Sequence, residues 1–221
     1  MAEYTLVIGN RNYSSWSLRG WLAAKIAGIA FDEIVIPLDE PATKAAIARH
    51  SPSGWVPVLE HRGAKIWDSL AIAEYLAEQR PGAGLWPVDT LARATARSVS
   101  AEMHSGFAAL RNGMPMNIRA RFPAKPVTPE MQADIDRIIR LWADCRARFA
   151  GVAGRDDGFL FGRLSVADAM FAPIVTRFAS YRVPLDEASR RYCATVDSLP
   201  EMRHWSELAA KEPWALPSCD P

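Results

Sequence analysis

A change of pattern near residue 80 constrains this chain more than any other feature. Before it, strand-like and helix-like pieces alternate; after it, strand signals all but vanish. Tyr4 to Gly9 is short, apolar and β-branched, and reads as a buried strand. Trp16 to Gly28 reads as a helix, with Leu18, Trp21, Leu22, Lys25 and Ile26 at helical spacing and Gly28 as its stop. Phe31 to Ile36 is a second strand, expected to run parallel to the first because a helix separates them. Pro41 to His50 is a short helix with proline at its start. Val56 to Glu60 and Ala64 to Trp67 flank His61-Arg62-Gly63, a hairpin turn. Asp68 then caps a helix running to Gln79.

Arg80-Pro81-Gly82-Ala83-Gly84 ends the alternation and reads as a linker. One long helix is expected from Asp89 to Arg121, with a kink near Met114-Pro115. A proline-rich break covers Pro123 to Pro129. A helix follows over Thr128 to Phe149, with Met131, Ile135, Ile138, Leu141, Trp142 and Cys145 on one face. Further helices are expected at Ser165 to Tyr181, Leu185 to Leu199 and Pro200 to Lys211. The predicted architecture is an α/β domain over residues 1–80, a linker over 81–88 and an all-helical domain over 89–221.

Composition narrows the function. Of 221 residues 49% are hydrophobic and 23% charged, which excludes a disordered chain. The net charge of +1 argues against a general nucleic-acid or polybasic membrane binder. No apolar run approaches the roughly 18 residues of a membrane span, and the acidic start Met1-Ala2-Glu3 does not read as a signal peptide. Cys145, Cys193 and Cys219 are far apart and form no metal-binding spacing, so no metal or disulfide framework is expected and the cytoplasm is the expected compartment.

Three short segments carry chemistry. Pro57 sits in a strand-like run where it cannot donate to a ladder; the strand is either at an edge or starts late, or the Val56–Pro57 bond is cis. A cis bond would turn the Val56 backbone outward to pair with an extended ligand. Asp68-Ser69 opens an apolar helix, either as a plain cap or as a carboxylate site on free N–H groups. Asn12-Tyr13-Ser14-Ser15-Trp16-Ser17 joins the first strand to the first helix; serines there are ordinary caps, yet the carboxyl ends of strands are where open α/β sheets place ligands. A serine hydroxyl at a helix N-terminus can also stabilise a thiolate. A free thiol of pKa near 8.5 is only about 3% ionised at neutral pH. Lowering it by about two units takes about 2.7 kcal/mol, within reach of one charge-assisted hydrogen bond plus a helix dipole.

Taken together, these segments resemble the cytosolic glutathione transferases over essentially the whole chain. SSWSLR is similar to the SSxSxR signature of the zeta class, which includes maleylacetoacetate isomerases, and SPSGWVPVLEHRGAKIWDSLAIAEYLAE is similar to the family's glutathione-site block. Ser165-Val166-Ala167-Asp168 resembles the family's N-capping box, with Asp168 returning to the Ser165 N–H. The resemblance implies a thioredoxin-like N-terminal domain followed by an all-helical C-terminal domain. It implies that Ser14 stabilises the glutathione thiolate, with Ser15 its close rival and Ser17 a weaker one. Val56 beside Pro57 would pair with the cysteinyl backbone, and Asp68 and Ser69 would hold the γ-glutamyl end.

His104 and Phe107 would face the second substrate, although an ordinary helix role for His104 and a core role for Phe107, Leu110, Met114 and Met116 stand beside that. Gly54 and Trp55 replace a polar side chain before the Val-Pro pair, leaving Arg49 or His50 to meet the glycyl carboxylate. Trp16 stands where the zeta motif has cysteine, and no cysteine lies in the first 80 residues, which weighs against a mixed-disulfide mechanism. The implied function is conjugation of glutathione, as cosubstrate, to a small electrophile by a homodimer. A glutathione peroxidase, a zeta-like isomerase and a non-catalytic binding protein are the alternatives.

Overall fold

The computed structural model describes residues 2–123 and 126–219; residues 124 and 125 of the proline-rich break lie outside them. The N-terminal half holds β1 (Tyr4–Ile8), α1 (Ser15–Ile26), β2 (Phe31–Val35), α2 (Thr43–His50), β3 (Val58–His61), β4 (Ala64–Trp67) and α3 (Ser69–Gln79). The strands form one sheet in the order β2-β1-β3-β4. β1 and β2 are parallel, from Tyr4 opposite Phe31 to Ile8 opposite Val35, as the intervening helix requires. β3 runs antiparallel to both β1 and β4. The hairpin loop is only two residues long. Arg62 and Gly63 both have positive φ, the combination of a type I′ turn, and His61 pairs with Ala64 as a strand residue.

Strand alternation divides the core. Tyr4, Leu6, Ile8 and Leu59 face α1 and α3, where they meet Leu18, Trp21, Leu22, Ile72 and Leu76. Val7 and Val58 point the other way and pack with Ile36 and Ile47 beneath α2. α1 is buried almost all round because α3 and the sheet cover one side and the helical half covers the other. Gly20 lets it come close to the sheet: a Cβ there would sit 3.0 Å from Pro57 Cγ.

The second half contains α4 (Thr90–Ser105), α5 (Ala108–Gly113), α6 (Pro129–Phe149), α7 (Val166–Tyr181), α8 (Glu187–Asp197) and α9 (Pro200–Ala210). α7 runs through the middle and is buried along nearly its whole length. At its start the Asp168 carboxylate accepts from Ser165 N (2.9 Å), Ser165 Oγ, Leu160 N and Tyr192 Oη, so the returning half of the capping box is present. Burial nevertheless pushes the Asp168 carboxyl up to about 6.

The expected helix from Asp89 to Arg121 is corrected to two. α4 stops at Ser105, Gly106 is extended and Phe107 is left-handed with φ 59°. Helical spacing does not reveal this break because its causes are tertiary. The Phe107 ring is buried in the core, and Asp134 of α6 accepts from Leu110 N at 3.0 Å, supplying α5 with a cap from outside its own segment. Burying an aromatic ring outweighs the cost of about 1–3 kcal/mol for a left-handed non-glycine residue. No regular helix forms between α5 and α6 among the described residues. The other bounds shift slightly: α2 begins at Thr43 rather than Pro41, and β3 at Val58 rather than Val56.

Candidate active site

The loop after β1 delivers three serines to the start of α1. Ser14 is the N-cap: its Oγ accepts from Ser17 N at 3.3 Å and donates to Ser17 Oγ at 2.8 Å. Ser17 Oγ in turn accepts from Gly9 N at 2.9 Å, and Ser17 is fully buried. Ser15 follows, with no side-chain hydrogen bond among the described residues. Ser14 and Ser15 both line a cavity of about 800 Å³ together with Trp16, Lys44, Trp55 and Val56. A second cavity of about 450 Å³ lies alongside, lined by Trp16, Trp55, Val56, Pro57, Asp68 and Ser69. Because Trp16, Trp55 and Val56 border both, the two form one groove running from α2 past the α1 start to the α3 start.

The Val56–Pro57 bond is cis. Neither backbone group of Val56 has a hydrogen-bond partner among the described residues, so both are available to an extended chain lying in the groove. Beyond Pro57, Asp68 takes a positive φ of 75° and caps α3, its Oδ1 accepting from Leu70 N at 2.9 Å and Ala71 N at 3.3 Å. Its Oδ2 lies 3.1 Å from His104 Nε2 of α4. Ser69 is 1% exposed, and its Oγ has no hydrogen-bond partner among the described residues.

Cations crowd this end of the groove. Arg19 of α1 and Arg111 of α5 place their guanidinium groups over the Trp16 ring, 4.5 and 4.9 Å from its centroid, and His104 meets the same ring edge-on at 5.0 Å. Arg19 is buried; its Nε donates to Met170 O and its Nη1 has no hydrogen-bond partner among the described residues. Burial, reinforced by Arg19 and Arg111, lowers the His104 pKa against the opposing pull of Asp68. The imidazole is therefore neutral at neutral pH and can donate Nε2–H to Asp68 while Nδ1 stays unpartnered.

The predicted residues thus separate. Ser14, Ser15, Val56, Pro57, Asp68 and Ser69 share the groove. His104 reaches it through Asp68 and Trp16. Phe107 does not reach it; the ring is 7% exposed and packs in the core with Leu110, Met114 and Met116. Neither Arg49 nor His50 lines the groove: the Arg49 carbonyl accepts from Lys65, and His50 pairs with Glu60 at 3.1 Å. Sequence reasoning missed Lys44, whose position on α2 does face it, and the tryptophan-stacked arginines. Lys44 looks like any solvated helix lysine in sequence. Cys145 and Cys193 lie away from the groove with thiols pushed by burial up to about 12.

Residues 13–79 match the glutathione S-transferase N-terminal domain. A maleylacetoacetate isomerase of Rhizobium meliloti is 40% identical over 89 residues, 39% of this chain and 41% of that protein, so this chain spans less than half the length of that relative. The maleylacetoacetate isomerase of Pseudomonas aeruginosa is 27% identical over 92% of this chain and 89% of its own length. A glutathione transferase homologue from Burkholderia, solved with bound glutathione, superposes with a TM-score of 0.72 at 23% identity over 95% of this chain and 99% of that one. The last likeness carries the fold: a thioredoxin-like N-terminal part followed by a helical C-terminal part. Sheet and groove agree with these likenesses: residues 13–79 carry the match to the glutathione S-transferase N-terminal domain, and the whole chain is similar in fold to a glutathione transferase homologue.

Proposed function

We propose that the protein is a glutathione transferase that ionises the glutathione thiol with Ser14 and presents it to a small electrophile. The observation that carries this reading is the unpaired Val56 backbone, set between the α1 start and the orphaned Ser69 hydroxyl. A tripeptide laid along the groove would pair its cysteinyl backbone with Val56. Its γ-glutamyl carboxylate would take the Ser69 hydroxyl and the α3 N-terminus, and its ammonium would share the Asp68 carboxylate. Lys44 is the cation for the glycyl carboxylate. The sulfur then lies at the α1 start, where the positive helix end and one hydroxyl favour the thiolate. The thiol proton leaves to water, and the sulfur attacks the electrophile held over the helical half. The protein contributes orientation and charge stabilisation; the nucleophile is the cosubstrate's.

For Ser14 to act, its hydroxyl must turn from Ser17 to the sulfur. That exchanges a neutral hydrogen bond of about 1 kcal/mol for a stronger charge-assisted one. Ser15 needs no such exchange, which is why it remains the rival. The relatives named maleylacetoacetate isomerases favour a second reading, glutathione-dependent isomerisation.

We assign residues 1–80 to glutathione binding, 81–88 to the linker and 89–221 to the second substrate. The expected setting is a cytoplasmic homodimer. Among the described residues no helix is long and apolar enough to cross a membrane. The test is titration of bound glutathione by thiolate absorbance, with Ser14→Ala beside Ser15→Ala. A lowered thiol pKa that Ser14→Ala alone abolishes is the expected result. No binding at millimolar glutathione, or an unshifted thiol, refutes the function; loss with Ser15→Ala alone moves the role by one residue. Aryl halides, hydroperoxides and maleylacetoacetate analogues then separate conjugation, peroxidase and isomerase activity.

A further inference from the structure

The loop before Ser14 is closed locally by Tyr13 N and Ser14 N, which donate to the Asn10 carbonyl at 3.2 and 2.8 Å, but the backbone groups of Arg11 and Asn12 inside it are bonded elsewhere. The backbone N–H groups of Arg11 and Asn12 both donate to one carboxylate, Glu212, at 2.8 and 3.2 Å. The Arg11 carbonyl accepts from Trp205 Nε1 at 3.0 Å, and the Asn12 carbonyl from Ile118 N at 3.3 Å. All four backbone groups are therefore taken by residues from position 118 onward, in the other half of the molecule. Glu212 is 7% exposed, in the segment that follows α9. It is itself held: Arg119 donates to the Glu212 carbonyl at 2.7 Å and, through its other terminal nitrogen, to Tyr13 Oη at 3.0 Å. Arg11 lies 3.6 Å from the carboxylate, with Glu33 as its second anion.

We propose that Glu212 is a positioning residue for the thiolate: its carboxylate sets the loop that presents Ser14. The proposal rests on the glutathione reading above. A bidentate acceptor on two successive N–H groups fixes two adjacent peptide planes, and the next residues carry that orientation to the Ser14 Oγ. Displacing a catalytic group by about 1 Å can cost 10²-fold in rate. The residues that would hold the rest of glutathione, Val56, Asp68 and Ser69, belong to other loops and do not contact Glu212. Losing the carboxylate should thus disturb thiol ionisation and turnover rather than glutathione affinity.

Glu212→Ala removes both acceptors. Glu212→Gln keeps one and sets an amide N–H₂ against the Asn12 N–H. Trp205→Phe removes only the donor to the Arg11 carbonyl and keeps the aromatic bulk. The readouts are glutathione affinity by calorimetry, thiol pKa by thiolate absorbance, and kcat against KM with an aryl halide. The expected result is a raised bound-thiol pKa and a fall in kcat of about tenfold or more for Glu212→Ala, with Glu212→Gln intermediate and KM for glutathione within about twofold of wild type. An unchanged thiol pKa and kcat, whatever happens to Tm, would overturn the proposal and leave Glu212 a tie for the C-terminal segment. If Glu212→Ala does not fold, Glu212→Gln and Trp205→Phe decide by the same criterion. Wild-type protein that binds glutathione and lowers its thiol pKa, beside variants that match it, refutes the positioning role alone. Wild-type protein that does neither refutes the function beneath it.

Discussion

The two helix starts that border the groove are built to opposite designs. At α1 the Ser14 and Ser17 hydroxyls are already bonded: Gly9 N to Ser17 Oγ, and Ser14 to Ser17 through both hydroxyl and amide. At α3 the cap is complete, but the next hydroxyl, Ser69 Oγ, is buried with no partner among the described residues, and Asp68 shares itself with His104. A buried unpaired hydroxyl costs about 1–3 kcal/mol, and a bound ligand is what removes that cost. The contrast fits a division of labour in which the α3 end binds and the α1 end holds one hydroxyl in place for the chemistry. α7 offers a control, because its start is closed around Asp168 and lies outside this groove.

Four outcomes would break or sharpen that contrast. The largest belongs to Ser14→Ala: a loss of about 10²–10³ in kcat with little change in KM for glutathione, measured under saturating electrophile. If KM rises instead, α1 binds rather than activates. Next is Asp168→Asn, expected to leave KM alone and change stability with pH. Burial raises the folded Asp168 pKa to about 6, above its unfolded value, so the native state holds that proton longer. The stability linked to this group is full below about pH 4 and is lost as pH rises through 6, by up to about 3 kcal/mol. Denaturant melts across pH 4–7 should show the wild-type slope and its absence in the variant.

Ser69→Ala comes third. KM for glutathione should rise about tenfold while Tm holds or increases, because the orphaned hydroxyl is gone. A fall in Tm would mean the hydroxyl already has a structural partner. The smallest effect is that of His104→Asn, a few-fold change in KM. Because burial lowers the His104 pKa, its protonation appears only on the acid side of the ordinary imidazole range. The variant should erase an inflection there and leave the profile between pH 7 and 8 unchanged.

Legibility followed the range of the forces. The Asp68 cap and the hairpin turn were readable because each acts within a few positions of itself, while the start of α1 was narrowed only to the serines of 14–17 and the Ser165 box came through the family resemblance. The odd proline in the Val56-Pro57-Val58 run announced an unusual backbone but left open which kind. The α4–α5 break was not readable, since its cap arrives from Asp134, 24 positions on. Lys44 lost to Arg49 and His50 because all three are basic residues on α2, and only the packed sheet decides which of them faces the groove.

By itself, then, the amino-acid order determined most of the elements, their succession and the hand-over from a mixed sheet to helices, because propensity, periodicity and capping are local; the start of α2 and the division between α4 and α5 were not among them. Only the tertiary structure decided which polar groups stay without partners among the described residues, which cations gather over Trp16, and that the Arg11 N–H meets Glu212, 201 positions away. Those are matters of who meets whom across the fold, and burial and hydrogen bonding settle them between segments that carry no mark of one another.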